Sequence, residues 1–466
     1  MPAGFAGFST PNVMTNGQEA WTEEIRWQSN DDSSRWKWTV GAFWSLSRST
    51  SVEELIDPRG QVVALWDTLF GIDPTAWYGA YYNCPANTSF PGSNTPGQAL
   101  PDCDIYLNDN LVHDRQLAGF GEATVGLTDR LKLTVGARLA RMSFDMSHHG
   151  DGILNYGPDY ANASQEETAF TPKVGLSFQA DPQNLYYFTY AKGFRPGGGN
   201  PTLPDYCSGD GGLNQSGYPN GAPLTYKSDS TDSFEVGSKN NFGNRVRVAT
   251  SVYYIKWKDI QQNVYVPFNC GLQFTDNLGT AVAKGFDVQA EMALGAGFSL
   301  DAAFGYTSAR YTESTPAPKP LLVSEGDAIS GQASIDGGPG TNPPWNVAIG
   351  AQYNFTVAAH DAFVRMDWEY TSRNPWLAAT QDPASTQYDP FTYTLASTSF
   401  ASLRAGLTFG GVSVAAFIDN LFDSRTITNY QLSQVDANSP TGSQSVQQNS
   451  YTWRPRTFGI TATYRL

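Results

Sequence analysis

The 466-residue chain contains no apolar run long enough for a transmembrane helix, which needs about 20 such residues. That excludes a helical span and leaves open a crossing by strands, each of which needs only about ten alternating residues. Charge is scarce at 16 %, and cations are the scarcer sign, with Lys+Arg 29 against Asp+Glu 44 and a net charge of -15. Nucleic acid is thereby excluded as the main partner, because neutralising phosphates needs a basic surface. The chain has 4 cysteines, with no C-x-x-C pair and no neighbouring histidine, which argues against a cysteine-based metal site. Cys84, Cys103, Cys207 and Cys270 all lie in stretches rich in Pro, Gly and Asn, and they read as disulfides formed in an oxidising compartment. Cys84 and Cys103 share one long loop, whereas Cys207 and Cys270 fall in two successive ones, and the spacing alone does not choose the pairing.

Catalytic signatures are also missing. There is no Gly-x-Ser-x-Gly elbow, no H-E-x-x-H and no Walker sequence, so the chain reads as a non-enzyme with no resident cofactor. His148-His149 reads as a solvated loop pair, and Lys227 to Asp232 lacks the ligand order of a calcium loop. Met1 to Phe5 carries neither a basic n-region nor an apolar h-region. The expectation is that export information has been removed or that the chain is a piece of something longer.

What the sequence does have is alternation. Phe458, Ile460, Ala462, Tyr464 and Leu466 fall on one face of a strand and Thr457, Gly459, Thr461, Thr463 and Arg465 on the other. The same period of two places Phe286, Val288, Ala290 and Met292 opposite Asp287, Gln289 and Glu291, and Leu403, Ala405, Leu407 and Phe409 opposite Arg404 and Thr408. Aromatics at 13 % and 45 Gly fit β structure with long polar loops.

The strands are joined by two kinds of connection. Short turns are expected at Thr128–Arg130, Asp181–Gln183, Phe242–Asn244, Gly295–Gly297, Thr356–His360 and Gly410-Gly411. Long loops are expected near 48–112, 147–167, 196–226, 259–275, 313–342, 376–396 and 423–450, with residues 1–17 as a loop remnant ahead of a single barrel domain over 18–466. Short turns at one end and long loops at the other are the arrangement of an outer-membrane barrel. In hydrocarbon every backbone N–H and C=O needs a protein partner, and a closed sheet is the non-helical way to provide one. Lipid would then face the apolar rows. Arg365, Asp367 and Glu369, or Arg245 and Arg247, would line a wet or plugged interior, and Tyr186, Tyr187, Tyr370, Trp376 and Tyr464 would fit interfacial girdles. The expected fold is an all-β transmembrane antiparallel barrel of about 15 strands.

Five segments in fixed order then resemble a known family. They are Tyr190-Ala-Lys-Gly-Phe-Arg-Pro196, Phe234-Glu-Val-Gly-Ser-Lys239, Lys284-Gly-Phe-Asp-Val-Gln-Ala-Glu291, Asp419-Asn-Leu-Phe-Asp423 and Arg454-Pro-Arg-Thr-Phe-Gly459. Together they resemble TonB-dependent outer-membrane receptors. That resemblance implies about 22 strands around an amino-terminal plug carrying a TonB-contacting box. No plug is recognisable, so the chain is expected to be the carboxy-terminal part of such a barrel, incomplete or open at its edges. The implied partners are outer-membrane lipid, a scarce small ligand such as a ferric siderophore, the TonB complex only through the missing plug, and the barrel assembly machinery at the Leu466 end. The implied ligand contacts are aromatic and basic residues at loop bases: Arg195, Tyr206, Tyr218, Trp376 and Tyr388. A plugless porin-like channel and a secreted adhesin-like β protein are the rival readings.

Overall fold

The computed structural model describes residues 11–31, 33–56, 104–152, 155, 159–203, 205–208, 212–214, 218–243, 245–266, 272–315, 321–329, 343–386, 388, 390–435 and 445–464. The strands are β1 (Asn12–Gln28), β2 (Trp36–Ile56), β3 (Asp104–Gly126), β4 (Leu131–Asp151), β5 (Asp159–Asp181), β6 (Asn184–Arg195) and β7 (Gly198–Gly199). There follow β8 (Thr225–Tyr226), β9 (Asp229–Phe242), β10 (Val246–Lys258), β11 (Gln261–Tyr265), β12 (Gln273–Asn277), β13 (Thr280–Gly295) and β14 (Phe298–Tyr311). The last are β15 (Trp345–Val357), β16 (His360–Thr371), β17 (Thr398–Phe409), β18 (Val412–Asp419), β19 (Ile427–Val435), β20 (Ser445–Thr452) and β21 (Thr457–Tyr464).

One antiparallel 15-stranded sheet runs β1-β2-β3-β4-β5-β6-β9-β10-β13-β14-β15-β16-β17-β18-β21. The remaining strands form three two-stranded hairpins in the connections at the loop end. Every step in the large sheet joins neighbours in the chain or strands separated only by such a hairpin, which makes it an up-and-down meander. The tight turns fall where expected, and they carry the positive φ angles that two-residue hairpin turns demand at Gly243, Ala296, Gly297, Ala358, Ala359 and Gly410.

Register decides what each face meets. Residues directly opposite in adjacent strands share a face, so one cross-strand row can be followed through the sheet. One row runs Val252–Phe286–Tyr306–Trp345. The row toward the turns runs Ala290–Ala302–Ile349–Trp368–Ala401. Further on, Ile418 pairs with Leu403 and Phe458, and at the other end Trp27 pairs with Val40 and Ile25 with Ala42. No strand breaks the pattern: the apolar face is continuous from β1 to β21. It is also open to the surroundings, with Leu117 60%, Leu139 55%, Val236 58%, Val252 61% and Ile460 76% exposed. In water that area would be a severe liability, whereas in a bilayer it is the solvated surface.

Aromatic side chains bound this belt. Toward the loops Tyr306 packs against Trp345 at 4.8 Å between ring centroids, and Phe286 lies beside both. Toward the turns Phe298 packs on Tyr353 at 4.6 Å and Tyr353 stacks on Phe355 at 5.3 Å. Tyr306 and Phe298 lie about 26 Å apart along β14 at ~3.3 Å per residue. A strand tilt of ~40° reduces this to about 20 Å of depth, close to the apolar band of about 25 Å in such barrels. Tyr186, Tyr370 and Tyr464 share this outer face, as expected, but Tyr187 faces inward and donates to Glu235 at 2.6 Å, because adjacent residues must alternate.

The opposite face is polar and self-paired. Arg365 bonds both carboxylate oxygens of Asp301 at 3.1 Å and pairs with Asp367 at 2.6 Å; Lys173 meets Glu122 at 2.8 Å, and Arg247 meets Glu291 at 3.6 Å. Arg138 lies over Phe43 and Arg404 over Phe417. At Gly350 any Cβ would run into Asp301 and Arg365, so glycine there makes room for the fork.

Several boundaries differ from the expectation. The loop remnant 1–17 is strand from Asn12 onward, since Asn12 pairs with Leu55 and Gly17 with Thr50. The 48–112 loop shrinks from both sides, because β2 continues to Ile56 and β3 starts at Asp104. The 147–167 loop is mostly the ends of β4 and β5, with Gly150 opposite Asp159. The 259–275 and 423–450 loops contain β11, β12, β19 and β20. In each case the strand has left the lipid, and hydrogen bonding continues without the lipid-facing apolar row that reveals the rest of the sheet.

Candidate functional site

The driest part of the described molecule lies above the sheet, in the long connections. Cys207, Leu213, Val264, Val266, Phe274, Leu278 and Leu322 are at most 2% exposed and form one apolar cluster. A second cluster gathers Ile260, Ala281, Tyr311, Val323 and Ala379. The connections between β6 and β9, β10 and β13, β14 and β15, and β16 and β17 therefore fold onto one another as a cap with its own core. Apolar side chains in the wet loops have no lipid to face, so they bury one another.

Buried polar groups stitch the cap. Asn200, 3% exposed, donates to the carbonyls of Pro223 at 2.7 Å and Thr275 at 2.8 Å and accepts from the Thr275 amide at 2.8 Å. Gln261 Nε2 reaches the carbonyls of Pro196 at 2.7 Å and Lys227 at 3.0 Å. Thr315 Oγ1 accepts from the amides of Leu322 at 3.2 Å and Val323 at 3.0 Å. Ser324 is doubly used: its amide donates to Asp327 Oδ2 at 2.8 Å and its hydroxyl to Asp382 Oδ2 at 2.6 Å. Burial, with Asp382 adding repulsion, pushes the Asp327 carboxyl up to about 6.

The expected contact residues separate into distinct environments. Arg195, the last residue of β6, is clamped: it pairs with the buried Asp229, donates to the Gln261 carbonyl at 3.1 Å and lies 5.7 Å from the centre of the Trp257 ring. Asp229 also accepts from the Gln261 amide at 3.2 Å, so one carboxylate joins three strands, β6, β9 and β11. Tyr218 is 8% exposed, donates to Asp276 Oδ2 at 2.8 Å and packs edge-on against Phe274 at 4.8 Å; burial and Asp276 together push its hydroxyl far above the usual phenol range. Trp376 is half-buried beneath the Arg310 guanidinium, 4.9 Å from its ring centre. Tyr388 is 45% exposed, and its amide donates to the Ser385 carbonyl at 3.1 Å. Tyr206 sits in the short 3-10 turn Asp205–Ser208. Cys207 is disulfide-bonded; Cys84, Cys103 and Cys270 lie outside the described residues.

The fold brings Arg195 and Tyr218 into the same cap but gives each its own anchoring partner. Trp376 and Tyr388 belong to the neighbouring β16–β17 connection. Asp229, Asn200 and Asp276, which anchor the cap, carried no sequence signal, because each acts on partners far away in the chain. Among the described residues no group of three or more His, Cys, Asp or Glu is arranged to hold a metal ion.

A meander with a lipid-facing apolar row, a polar self-paired interior, tight turns below and a folded loop cap above defines a transmembrane β-barrel of the outer-membrane type. Residues 3–421 match the family described as TonB dependent receptor-like, beta-barrel, and the chain belongs to this family of Gram-negative outer-membrane transport receptors, which are not enzymes. No curated protein matches it. Solved structures share its fold at low identity. The ferric yersiniabactin uptake receptor FyuA from Yersinia pestis has a TM-score of 0.61 at 14% identity, with 98% of this chain and 55% of that chain covered. The copper transporter OprC gives 0.57 at 16%, covering 97% and 57%. The siderophore receptor PiuA from Acinetobacter baumannii gives 0.56 at 14%, covering 96% and 56%. The chain thus spans little more than half the length of these structures.

Proposed function

We propose that this chain is the barrel portion of a TonB-energised receptor that takes up a scarce ligand of the ferric-siderophore class, with the loop cap as the outer recognition surface. The observation that carries this reading is the family match over residues 3–421, joined to a fold shared with ferric-siderophore receptors. The cap is suited to the role. It holds aromatic rings and a guanidinium at fixed positions, and Trp376 with Arg310 and the exposed Tyr388 offers stacking and carboxylate-pairing surface to a ring-bearing chelate. In this reading coupling to the inner membrane runs through a plug domain and its TonB-contacting box. The barrel assembly machinery would engage the Leu466 end, which lies outside the described residues.

The test uses the chain folded in detergent. Ferric catecholate, hydroxamate and phenolate siderophores are titrated against tryptophan fluorescence, and the same protein is inserted in planar bilayers. Saturable quenching by one class, weakened tenfold or more by Trp376→Ala, supports the receptor. A steady ohmic conductance with no ligand binding favours a porin-like channel, and protein recovered soluble without detergent favours a secreted adhesin-like protein.

A further inference from the structure

The connection from β6 to β9 leaves the sheet and returns to it through two peptide groups that are gripped on both sides. The amide of Gly197 donates to Glu167 Oε2 at 3.3 Å and the amide of Ser228 to Glu167 Oε1 at 2.8 Å, so one carboxylate gives an oxygen to each end of the excursion. The carbonyls of the same two peptide groups, those of Pro196 and Lys227, both accept from Gln261 Nε2. Between these grips Gly198 pairs with Tyr226 and Gly199 with Thr225, which keeps the two ends side by side.

Glu167 differs from the other ties of the cap in the element it comes from. Asn200 with Thr275, Tyr218 with Asp276 and the Lys227 amide with Asn277 join the excursion to the β11–β12 hairpin, as does the cluster of Cys207, Leu213, Val264 and Phe274. Those contacts make the two hairpins one body. Glu167 instead belongs to the wall: it lies on β5 opposite Met142 of β4, on the polar face that carries Lys173 and Glu122. The body rests on that face, since a Cβ at Gly199 would meet Phe144, Ala163 and Met146. A second wall carboxylate, Asp159 at the start of β5, accepts from the Thr202 hydroxyl. Bonds from backbone amides to a carboxylate are charge-assisted and stronger than neutral ones, which suits Glu167 to hold a mobile element against a fixed one.

We infer that Glu167 is the positioning residue of the recognition cap: it holds the joined β7–β8 and β11–β12 hairpins against the inner wall of β4 and β5, so that the cap meets a ligand already in its binding posture. The inference rests on the reading of the cap as the recognition surface. A cap held in this way does not have to be ordered by the ligand, and that ordering cost is what preorganisation removes. Loss of the carboxylate should therefore shorten the time a ligand stays bound.

The test compares wild type, Glu167→Ala and Glu167→Gln, each as the full chain folded in detergent. In Glu167→Ala the Gly197 and Ser228 amides should exchange roughly tenfold faster or more, as expected for losing a hydrogen bond to a charged group, while the sheet amides and the heat-modifiable gel mobility stay as in wild type. Added acetate, a carboxylate small enough for the space left by the side chain, should slow both amides again, and the same concentration of chloride should not. Glu167→Gln fills that space but offers one acceptor, so it should leave one amide fast and should not respond to acetate. Ferric hydroxamate, catecholate and phenolate siderophores are then released by dilution, and whichever class wild type holds should leave Glu167→Ala about tenfold faster and slow again in acetate. Unchanged exchange in Glu167→Ala, acceleration spread through the sheet, or no effect of acetate would overturn the inference. Faster exchange with unchanged siderophore release would make Glu167 a structural tie and overturn its positioning role. A wild type that holds no siderophore would sink the recognition reading instead, and amide exchange alone would then decide whether Glu167 holds the cap.

Discussion

Arginine placed on successive residues of β15 should separate the two faces energetically. Ile349 lies midway between Trp345 and Tyr353, opposite Ala302 on one side and Trp368 on the other, and so sits near the centre of the belt. The counterpart test uses its neighbour: Ala348 lies opposite Ala303 and Glu369 on the polar face. Ile349→Arg puts a guanidinium at the bilayer midplane, which costs about 2–4 kcal/mol in such barrels. Ala348→Arg enters a wet interior with the Glu369 carboxylate on the facing strand, and its cost should stay within about 1 kcal/mol. Equilibrium urea unfolding in lipid vesicles, followed by tryptophan fluorescence, reads both. A gap of at least about 1 kcal/mol in favour of Ala348→Arg is expected from these figures. Equal losses, or the larger loss at Ala348, would refute the assignment of faces.

Three further outcomes follow from local geometry. Ala358 and Ala359 hold φ angles of 49 and 67 in the turn joining β15 to β16, so Ala358→Asn with Ala359→Gly should raise stability by about 1 kcal/mol, read from the urea midpoint. Asp327 titrates at about 6 when folded, above its ordinary 3.8, so its protonation stabilises the cap: the contribution is complete below about pH 4 and is lost as pH rises through about 6. Amides of 322–327, corrected for intrinsic exchange, should be better protected at pH 5 than at pH 7, and Asp327→Asn should remove the difference. Asp229→Ala leaves Arg195 without its carboxylate and the Gln261 amide without an acceptor, so it should open the cap locally at a cost of about 1–3 kcal/mol, seen as faster exchange at Gln261 with the sheet amides unchanged.

The fold was legible wherever lipid made the two faces of a strand different. Thr457 to Leu466 and Phe286 to Leu294 alternate because one face meets hydrocarbon and the other meets water, and the tight turns announce themselves because positive φ selects Gly and Asn. The signal stops at the membrane surface. Asp104 to Val112 and Ser147 to Asp151 are strand, yet neither face meets hydrocarbon and the buried side chains mix Ile105 and Leu107 with His148 and Asp151, so pairing persists without an apolar period. The cap was illegible for a different reason. Tyr218 finds Asp276, Asn200 finds Thr275 and Arg195 finds Gln261 only after hairpins have brought distant connections together. Aromatic and basic character at a loop base suggested ligand contact, but it cannot distinguish a ring facing solvent, such as Tyr388, from one such as Tyr218 that holds the cap.

The continuous lipid-facing row is tested most directly by single nitroxide side chains placed in vesicles at each position from Trp345 to Val357 except Gly350. Oxygen, which concentrates in the hydrocarbon, should relax the labels at Val347, Ile349, Ala351 and Tyr353, while a polar nickel chelate should relax those at Asn346, Ala348 and Gln352. A flat profile, or maxima on the opposite set, would contradict the placement of this sheet in the membrane.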